Sequence, residues 1–444
     1  MKNYVSALQE KLRVSIWLIP LILCVAGFAL AVLLLWVERN APALDSALQF
    51  VSMSVTSARQ VLGVIATSVL SVGGVVFSVT MVALTLTSGQ YGPKVLRQFL
   101  SDRLSKISLG LFLGTSIYCL VTLSGYGDTD QPNITVMVAL FLTILALAGF
   151  IGFIHNTATD LQADQIIQRI VGDLQRLLYQ LVKEENLAGR NDDLLAWRRA
   201  ARGVRPVVVA ARSSGYLQTI DYSSLVGWSV EHDCRLQVRV RAGDFLLAGT
   251  TLVKIYGGDA QSLAGKIDSL HNCFMTGPMR TPVQDPEYPI TQLNQVAARA
   301  LSPGINDPGT AITCVDWFSM ALGQIADRDL PGKVFLDDEQ GPRVLARYTD
   351  FDGILKAFYA PARQFSRGNI PVLISLVQSL ERLAQLTTRR SRLVAIARQG
   401  GLIDEEMERG DHLQDDLRDF RQRYRKLITL TGRLEQLELV SGDD

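Results

Sequence analysis

No Asp, Glu, Lys or Arg stands between Gln60 and Lys94. That absence excludes a water-exposed surface helix, because such a helix needs a charged or polar face for solvent. Histidine is scarce as well, four in 444 residues. The five cysteines, at 24, 119, 234, 273 and 314, include no C-x-x-C pair. A disulfide framework is therefore not expected, which fits a reducing cytoplasm. No long basic tract occurs, so nucleic acid held by phosphate neutralisation is not an expected partner. Neither a G-x-S-x-G elbow nor an H-E-x-x-H zinc motif is present. Gly265-Lys266 lacks the leading Gly and closing Ser or Thr of a phosphate loop. Asp337, Asp338 and Glu339 have no ligand-spaced continuation for calcium and read as a solvated turn. The pairs His232-x-Cys234 and His271-x-Cys273 carry metal-ligand types, but structural zinc sites favour C-x₂₋₄-C spacing, and the four are read as unrelated. These absences together predict a protein that is not an enzyme and has neither cofactor nor metal.

What is present begins with Thr56 to Ser88. At 100° per residue, Thr56, Gln60, Gly63, Thr67, Ser71, Gly74, Ser78, Thr85 and Ser88 share a sector of roughly 100°. Val61, Ile65, Val69, Val72, Val76, Val79 and Ala83 lie opposite. The stretch exceeds the roughly 20 residues needed to cross a hydrocarbon core of about 30 Å. Its small, polar stripe is expected to face something other than lipid, either another helix or a water-filled path.

Three further apolar runs complete a four-span membrane domain over residues 1–155, with spans about 15–37, 59–88, 107–124 and 134–154. Residues 15–37 are longer than a signal-peptide core of about 7 to 15 residues, so cleavage is not expected. Lys94, Arg97, Arg103 and Lys106 oppose a single acid, Asp102, in the loop after the second span, while Asp128 and Asp130 mark the next loop. The positive-inside rule places the basic loop, and hence both termini, in the cytoplasm. Leu48 to Val55 is expected to lie in the interface as an amphipathic segment.

Past residue 155 the charge density rises, to 35 basic and 37 acidic residues in the remaining 289. Residues 156–200 read as a helical connector continuing the fourth span, with Ile166, Ile167, Ile170, Leu174, Leu177, Leu178 and Leu181 at helical spacing. Residues 201–258 change to strand period, as in the alternation of Leu236, Val238 and Val240, and predict a small β-barrel-like module. Val240 to Val253 resembles the strand-turn-strand pattern of biotinyl and lipoyl carrier barrels, but no Lys stands at a hairpin tip, so attachment of a cofactor is not carried over. Residues 259–444 read as a mainly helical C-terminal domain, with a hairpin at Val334–Asp337 and Arg343–Tyr348 and helices at Phe351–Phe365, Pro371–Arg398 and Asp404–Leu439. The fold class is thus an α-helical membrane domain joined to a cytoplasmic α+β region.

The most distinctive soluble stretches are Arg280-Thr-Pro-Val-Gln-Asp-Pro-Glu-Tyr288 and Ala300 to Ala311, the latter containing Ser302, Pro303, Gly304, Asn306, Asp307, Pro308 and Thr310. With Val75-Val-Phe-Ser-Val79 and Gly89 to Arg97, they resemble a bacterial membrane protein family, domain of unknown function 2254. The resemblance covers nearly the whole chain. It implies a multi-pass inner-membrane protein with a cytoplasmic C-terminal region, and it carries over no catalytic residue. By its residue types the motif is helix punctuation: Asp307 is an N-cap and Pro308 a first helical residue. The exposed amides of that helix, aided by Arg280 or Arg299, offer the alternative of a small anionic ligand.

An unionisable stripe lines a pore only when several copies contribute it. The function expected is therefore a homo-oligomeric, channel-like protein with a weakly selective pore bordered by Phe77 and Met81. The alternative is a non-transporting scaffold or sensor, in which the stripe packs helices and the soluble part binds a cytoplasmic protein. Membrane lipid is a partner in either case.

Overall fold

The computed structural model describes residues 17–40, 54–91, 103–127, 133–160, 162–184, 188–189, 191–258, 265–328, 330 and 333–432. Two compact units emerge, divided between Ile166 and Ile167. Met1 to Arg13, Leu48 to Ser52, Lys94, Arg97, Asp102, Asp128 and Asp130 lie outside the described residues.

The first unit is built from α1 (Leu18–Asn40), α2 (Val55–Tyr91), α3 (Arg103–Gly125) and α4 (Ile134–Asp160), all long and apolar enough to cross a membrane. Helix α3 is the centre of this bundle. Its membrane-length window is 56% buried, against 22% for each of the others. The sequence reason is Gly110-Leu-Phe-Leu-Gly114, a small-xxx-small face that lets backbones approach closely. A methyl group on Gly110 would stand 3.0 Å from the Pro20 Cα atom, and one on Gly114 would stand 2.7 Å from the Leu23 carbonyl oxygen.

Polar bonds clasp the end of the bundle where α1 stops. Glu38 accepts from the backbone amide of Thr135 at 2.8 Å and from its hydroxyl at 2.9 Å, so a carboxylate from α1 caps the start of α4. Tyr126 and Thr135 share a hydroxyl bond of 2.5 Å, and Arg59 of α2 donates to the Tyr126 carbonyl at 2.9 Å. Arg39 donates to the Gly125 carbonyl. Further along, Ser116 of α3 reaches the Ala66 carbonyl at 3.4 Å. The roll of α2 about its own axis is thereby fixed.

The helix expected to continue α4 without a break does not do so. Helix α4 ends at Asp160, Gln162 forms a bend, and α5 (Ala163–Glu184) begins anew. Within the second unit α5 buries Ile167, Ile170, Leu174, Leu177, Leu178 and Leu181, the stripe legible in the sequence. After it come β1 (Ala188–Gly189), α6 (Asn191–Ala201), β2 (Val207–Ala210), β3 (Gly215–Ile220), α7 (Tyr222–Glu231), β4 (Cys234–Val238), β5 (Phe245–Leu246) and β6 (Thr251–Gly257). Helix α7 has a cap of its own, the Asp221 carboxylate accepting from the Ser224 amide at 3.1 Å. The chain continues through α8 (Ile267–His271), β7 (Phe274–Gly277), α9 (Glu287–Ala300), α10 (Pro308–Gly323), β8 (Val334–Leu336), β9 (Pro342–Leu345), α11 (Phe351–Phe365), α12 (Ile370–Gln385), α13 (Arg390–Glu408) and α14 (Gln414–Gly432).

The strands form two open sheets, and no closed barrel is made among the described residues. One sheet has the order β1-β8-β9-β4-β6-β2 and the other β5-β3-β7. The hairpin of β8 and β9 joins the first sheet by parallel pairing of β9 with β4, Leu236 opposite Val344. Pairing across about a hundred residues is what local pattern does not disclose. Both sheets and α7 share one core, including Leu217, Leu225, Leu236, Val238, Val253, Ile255 and Val344.

Two of the expected C-terminal helices are divided differently. The span Pro371–Arg398 is broken between α12 and α13, where Asp327 accepts from the Thr388 amide at 3.0 Å and the Thr387 hydroxyl at 3.2 Å. Those bonds draw the backbone out of the helical path. The span expected from Asp404 begins inside α13, and the chain turns at Gly410 before α14. Helix α14 lays Phe420 and Leu427 in the core, a methyl group on Gly400 of α13 meeting the Leu427 side chain. Residues 433–444 lie outside the described part.

Candidate functional site

Helix α2 turns its apolar face inward and its small, polar face out. Ala58, Leu62, Ile65, Ala66, Val69, Val76 and Ala83 are buried, and a Cβ on Gly73 would stand 3.2 Å from that of Phe112 in α3. Thr56, Gln60, Thr67, Ser71, Gly74, Ser78 and Thr85 are exposed, and Gly63 is half-buried. A methyl group on Gly63 or Gly74 would meet nothing within 4 Å. The Ser88 side chain lies outside the described ones. Val79, which lies opposite the stripe in helical projection, is exposed as well.

The stripe hydroxyls are bonded along their own helix. Thr67 donates to the Gly63 carbonyl at 2.8 Å, Ser71 to the Thr67 carbonyl at 2.9 Å and Thr85 to the Met81 carbonyl at 2.9 Å. With the protons so directed, the stripe presents oxygen lone pairs outward. Its flanks are apolar: Val64, Val75, Val79, Val82 and Leu86 on one side, Leu70, Phe77 and Met81 on the other, all exposed. The outward faces of α1 and α4 differ, carrying Leu21, Ile22, Val25 and Phe28, and Leu140, Phe141, Ile144 and Ile151. Those faces suit lipid tails.

In the second unit the motif residues form the turn between α9 and α10. Ser302 accepts from the backbone amides of Ile305 and Asn306 at 3.0 and 2.9 Å, and Asn306 takes the left-handed conformation, φ 49°. Asn tolerates that region better than most side chains. Asp307 then caps α10, its carboxylate accepting from the Thr310 amide at 3.1 Å and hydroxyl at 2.6 Å, with Pro308 in the first turn. Those hydroxyl and amide bonds hold the Asp307 pKa below the usual carboxylate range. Ser302, Pro303, Gly304, Asn306, Asp307, Pro308 and Thr310 are thus brought together in one exposed or half-buried loop.

Arg280 does not reach toward that helix start; its Nη2 pairs with buried Asp285 at 2.7 Å. Burial raises the Asp285 pKa above its ordinary value, although Arg280 works the other way. Glu287 pairs with Arg241 at 2.6 Å, and Asp244 is shared by Arg241 at 3.6 Å and Arg347 at 3.5 Å. This network ties the turn before β5 to α9 and to the segment that follows β9. The network was hidden from pattern reading because Glu287 and Arg347 are far in sequence from the Arg241–Asp244 turn that they meet. Gly243 gave a clue: at φ 93° it packs directly against the Asp285 carboxylate. Beside the network, Tyr222, Arg241, Gln284, Arg347, Tyr348 and Thr349 line a cavity of about 20 Å³. That is room for about one water molecule.

Among the described residues no three His, Cys, Asp or Glu side chains gather in a metal-binding group. His271 faces two carbonyl oxygens, of Ile267 at 3.0 Å and Ala210 at 2.9 Å, which explains its place without a ligand.

The family model described as "Predicted membrane protein (DUF2254)" matches residues 13–382. Two similar proteins are the uncharacterized protein MT1328 of Mycobacterium tuberculosis (strain CDC 1551 / Oshkosh) and the uncharacterized protein Mb1321c of Mycobacterium bovis. Each is 28% identical over 411 residues, covering 91% of this chain and 78% of the relative. No solved structure matches.

Proposed function

Because the chain belongs to the family of predicted membrane proteins DUF2254, we propose that its four apolar helices form one subunit of an oligomeric, weakly selective channel of the bacterial inner membrane, with both termini cytoplasmic. The observation that carries this reading is the outward direction of the α2 stripe. A polar face packed inside the bundle has its use in the subunit; one turned away from it needs water or another copy. Four helices are too few to enclose a path, so several copies would place their α2 stripes around a common axis, with the apolar flanks against neighbours. Phe77 and Met81 would then border the narrowest region and close it by dewetting. Outward oxygen lone pairs without a charged ring give a modest preference for cations. The α+β unit is assigned a docking or gating role rather than catalysis, with a cytoplasmic protein or small anion as its candidate partner.

The bonding of Thr67, Ser71 and Thr85 within their own helix favours a second reading, a dry packing face in a non-conducting scaffold. Planar-bilayer recording of purified protein separates the two. Single cysteines at Thr67, Ser71 and Ser78, with Cys24 and Cys119 removed, should react with small charged thiol reagents and change the conductance, while those at Val69 and Val76 should not. A silent stripe and no current would retire the channel and leave the scaffold.

A further inference from the structure

The six-stranded sheet of the α+β unit has two different faces. Leu236, Val238, Val253 and Ile255 enter the core, so the alternation of a strand turns Arg235, Gln237, Lys254 and Tyr256 to the opposite face. Register joins them there: Arg235 stands opposite Tyr256, Gln237 opposite Lys254, and Lys254 opposite Val208 of the edge strand β2. Helix α6 sits on this face. Its Trp197 ring meets that of Tyr256 edge-on, with centres 5.5 Å apart, and the indole donates to the Arg343 carbonyl at 3.3 Å. With Trp197 buried beneath it, α6 turns Leu195, Arg198 and Arg199 outward. Arg202 and Arg205 follow, also exposed, in the segment that runs through Gly203, φ 81°, into β2.

Elsewhere in the same unit exposed arginines meet acids, Arg212 with Asp268, Arg382 with Asp316 at 2.5 Å and Arg398 with Asp352 at 2.7 Å. Arg198, Arg199, Arg202, Arg205, Arg235 and Lys254 make no ion pair among the described residues. The Nε of Arg235 is buried and meets no acceptor there. Of the acids beside them, Asp233 pairs with Arg343 at 3.2 Å, and Asp192 begins α6 about two turns before Arg199. Apolar side chains stand between the arginines: Leu195, Val204 and Val208 are 48%, 39% and 52% exposed.

We propose that the outer side of α6 and the chain leading into β2 form a docking surface for the phosphate headgroups of anionic membrane lipid. Charge complementarity selects an anionic occupant, and guanidinium groups suit phosphate because they donate to two oxygens at once. The interleaved Leu195, Val204 and Val208 select lipid among the anions, since a bilayer surface takes phosphate-seeking cations and shallow apolar side chains together. Single-stranded nucleic acid fits less well: its bases need exposed aromatic platforms, and Trp197 and Tyr256 are packed on each other. The membrane is also tethered to this surface, Arg198 following the last residue of α4, Asp160, by 38 residues of chain. That tether keeps lipid at high effective concentration, whereas an acidic protein has to be recruited. The docking rests on the membrane anchoring of the chain and not on conduction.

Fluorescence quenching of the full-length chain in lipid nanodiscs tests it. The five native cysteines are buried or half-buried, so the unmodified protein gives the labelling background. A fluorophore on Leu195→Cys should be quenched by headgroup-labelled nitroxide lipid in discs containing phosphatidylglycerol, several-fold more than in discs of phosphatidylcholine alone. Added salt should reverse the difference, because exposed charges are screened. A fluorophore on Leu413→Cys, 76% exposed on a different part of the unit, should not respond. Arg198→Glu with Arg199→Glu and Arg202→Glu should abolish the quenching at 195. Arg198→Gln with Arg199→Gln, milder for the fold, should weaken it several-fold. No quenching in phosphatidylglycerol discs, equal quenching in neutral discs, an equal response at 413, or quenching unchanged in both sets of variants overturns the docking. A spectral shift at 195 produced by an RNA oligonucleotide or by inorganic phosphate, without lipid quenching, also overturns it. Quenching without current in planar bilayers retires conduction and keeps the docking; current without quenching does the reverse.

Discussion

Gly114 of α3 lies against the backbone of α1 so closely that a methyl group there would stand 2.7 Å from the Leu23 carbonyl oxygen. Backbone cannot swing aside as a side chain does, so Gly114→Ala is expected to cost about 1 to 3 kcal/mol of overpacking, and Gly114→Leu to abolish the folded bundle. Gly63→Ala, at a site with nothing within 4 Å, should be neutral or slightly stabilising in the isolated subunit. Thermal unfolding followed by size-exclusion in detergent checks the contrast; equal loss at both positions would place the α1–α3 contact elsewhere.

Topology is tested by labelling. Cysteines introduced near residues 45 and 128 should react with a membrane-impermeant reagent from outside intact cells, and one near residue 100 should not, because four basic residues flank that loop. External labelling near residue 100 would invert the arrangement.

In the α+β unit, Val238 is buried opposite Val253, while Gln237 stands opposite Lys254 and accepts from the Tyr256 hydroxyl at 3.2 Å. Val238→Asp is expected to unfold the unit, since an unpaired buried carboxylate costs several kcal/mol. Gln237→Asp keeps an acceptor beside Lys254 and should shift the unfolding midpoint little. Circular dichroism melts of the two full-length variants measure the difference, and similar melts would show the strand face to be wrong.

Glu406, with its side chain 2% exposed, pairs with Arg363 at 2.5 Å and Arg367 at 2.8 Å, bracing α13 against α11. Burial alone raises its pKa, but the bonds and charges of the two arginines more than offset this and hold it below the ordinary value of 4.5. A depressed carboxylate stabilises the fold above its unfolded pKa, and that contribution is lost as pH falls through the folded value. Glu406→Gln should cost about 3 to 5 kcal/mol at neutral pH by leaving Arg363 buried and uncompensated. The stability difference between the native protein and the variant should shrink as pH falls below 4.5. Denaturant titrations across pH 3 to 7 measure it, and a constant difference would remove Glu406 from the acid response.

Much of the chain was legible because its signals are local. Four apolar runs, the Asp307 cap with Pro308, helix Phe351–Phe365 and the strand alternation around Val238 each depend on residues within a few positions of one another. The Gly110-x-x-x-Gly114 spacing is local as well, but its meaning came only with the close approach of α1 to α3 in the structure. The breaks at Gln162 and at Thr387-Thr388 were hidden in apolar periodicity that continues across them. At the second break the deciding group is Asp327, about sixty residues away.

The sequence by itself determined that α2 has a polar stripe and an apolar back, since composition and a 3.6-residue period suffice for that. It did not determine which of them faces its own bundle, because a helical projection is the same whether the stripe points in or out. Only tertiary structure decided this: Phe112 against Gly73, Ser116 on the Ala66 carbonyl and Arg59 on Tyr126 fix the roll of α2 and leave Thr67, Ser71, Gly74 and Ser78 outside. The sheet follows the same division. Alternation marks β4 and the hairpin of β8 and β9 as strands, whereas their parallel union depends on a core closed by residues about a hundred positions apart, whose cost in chain entropy is met by burial that no local window contains.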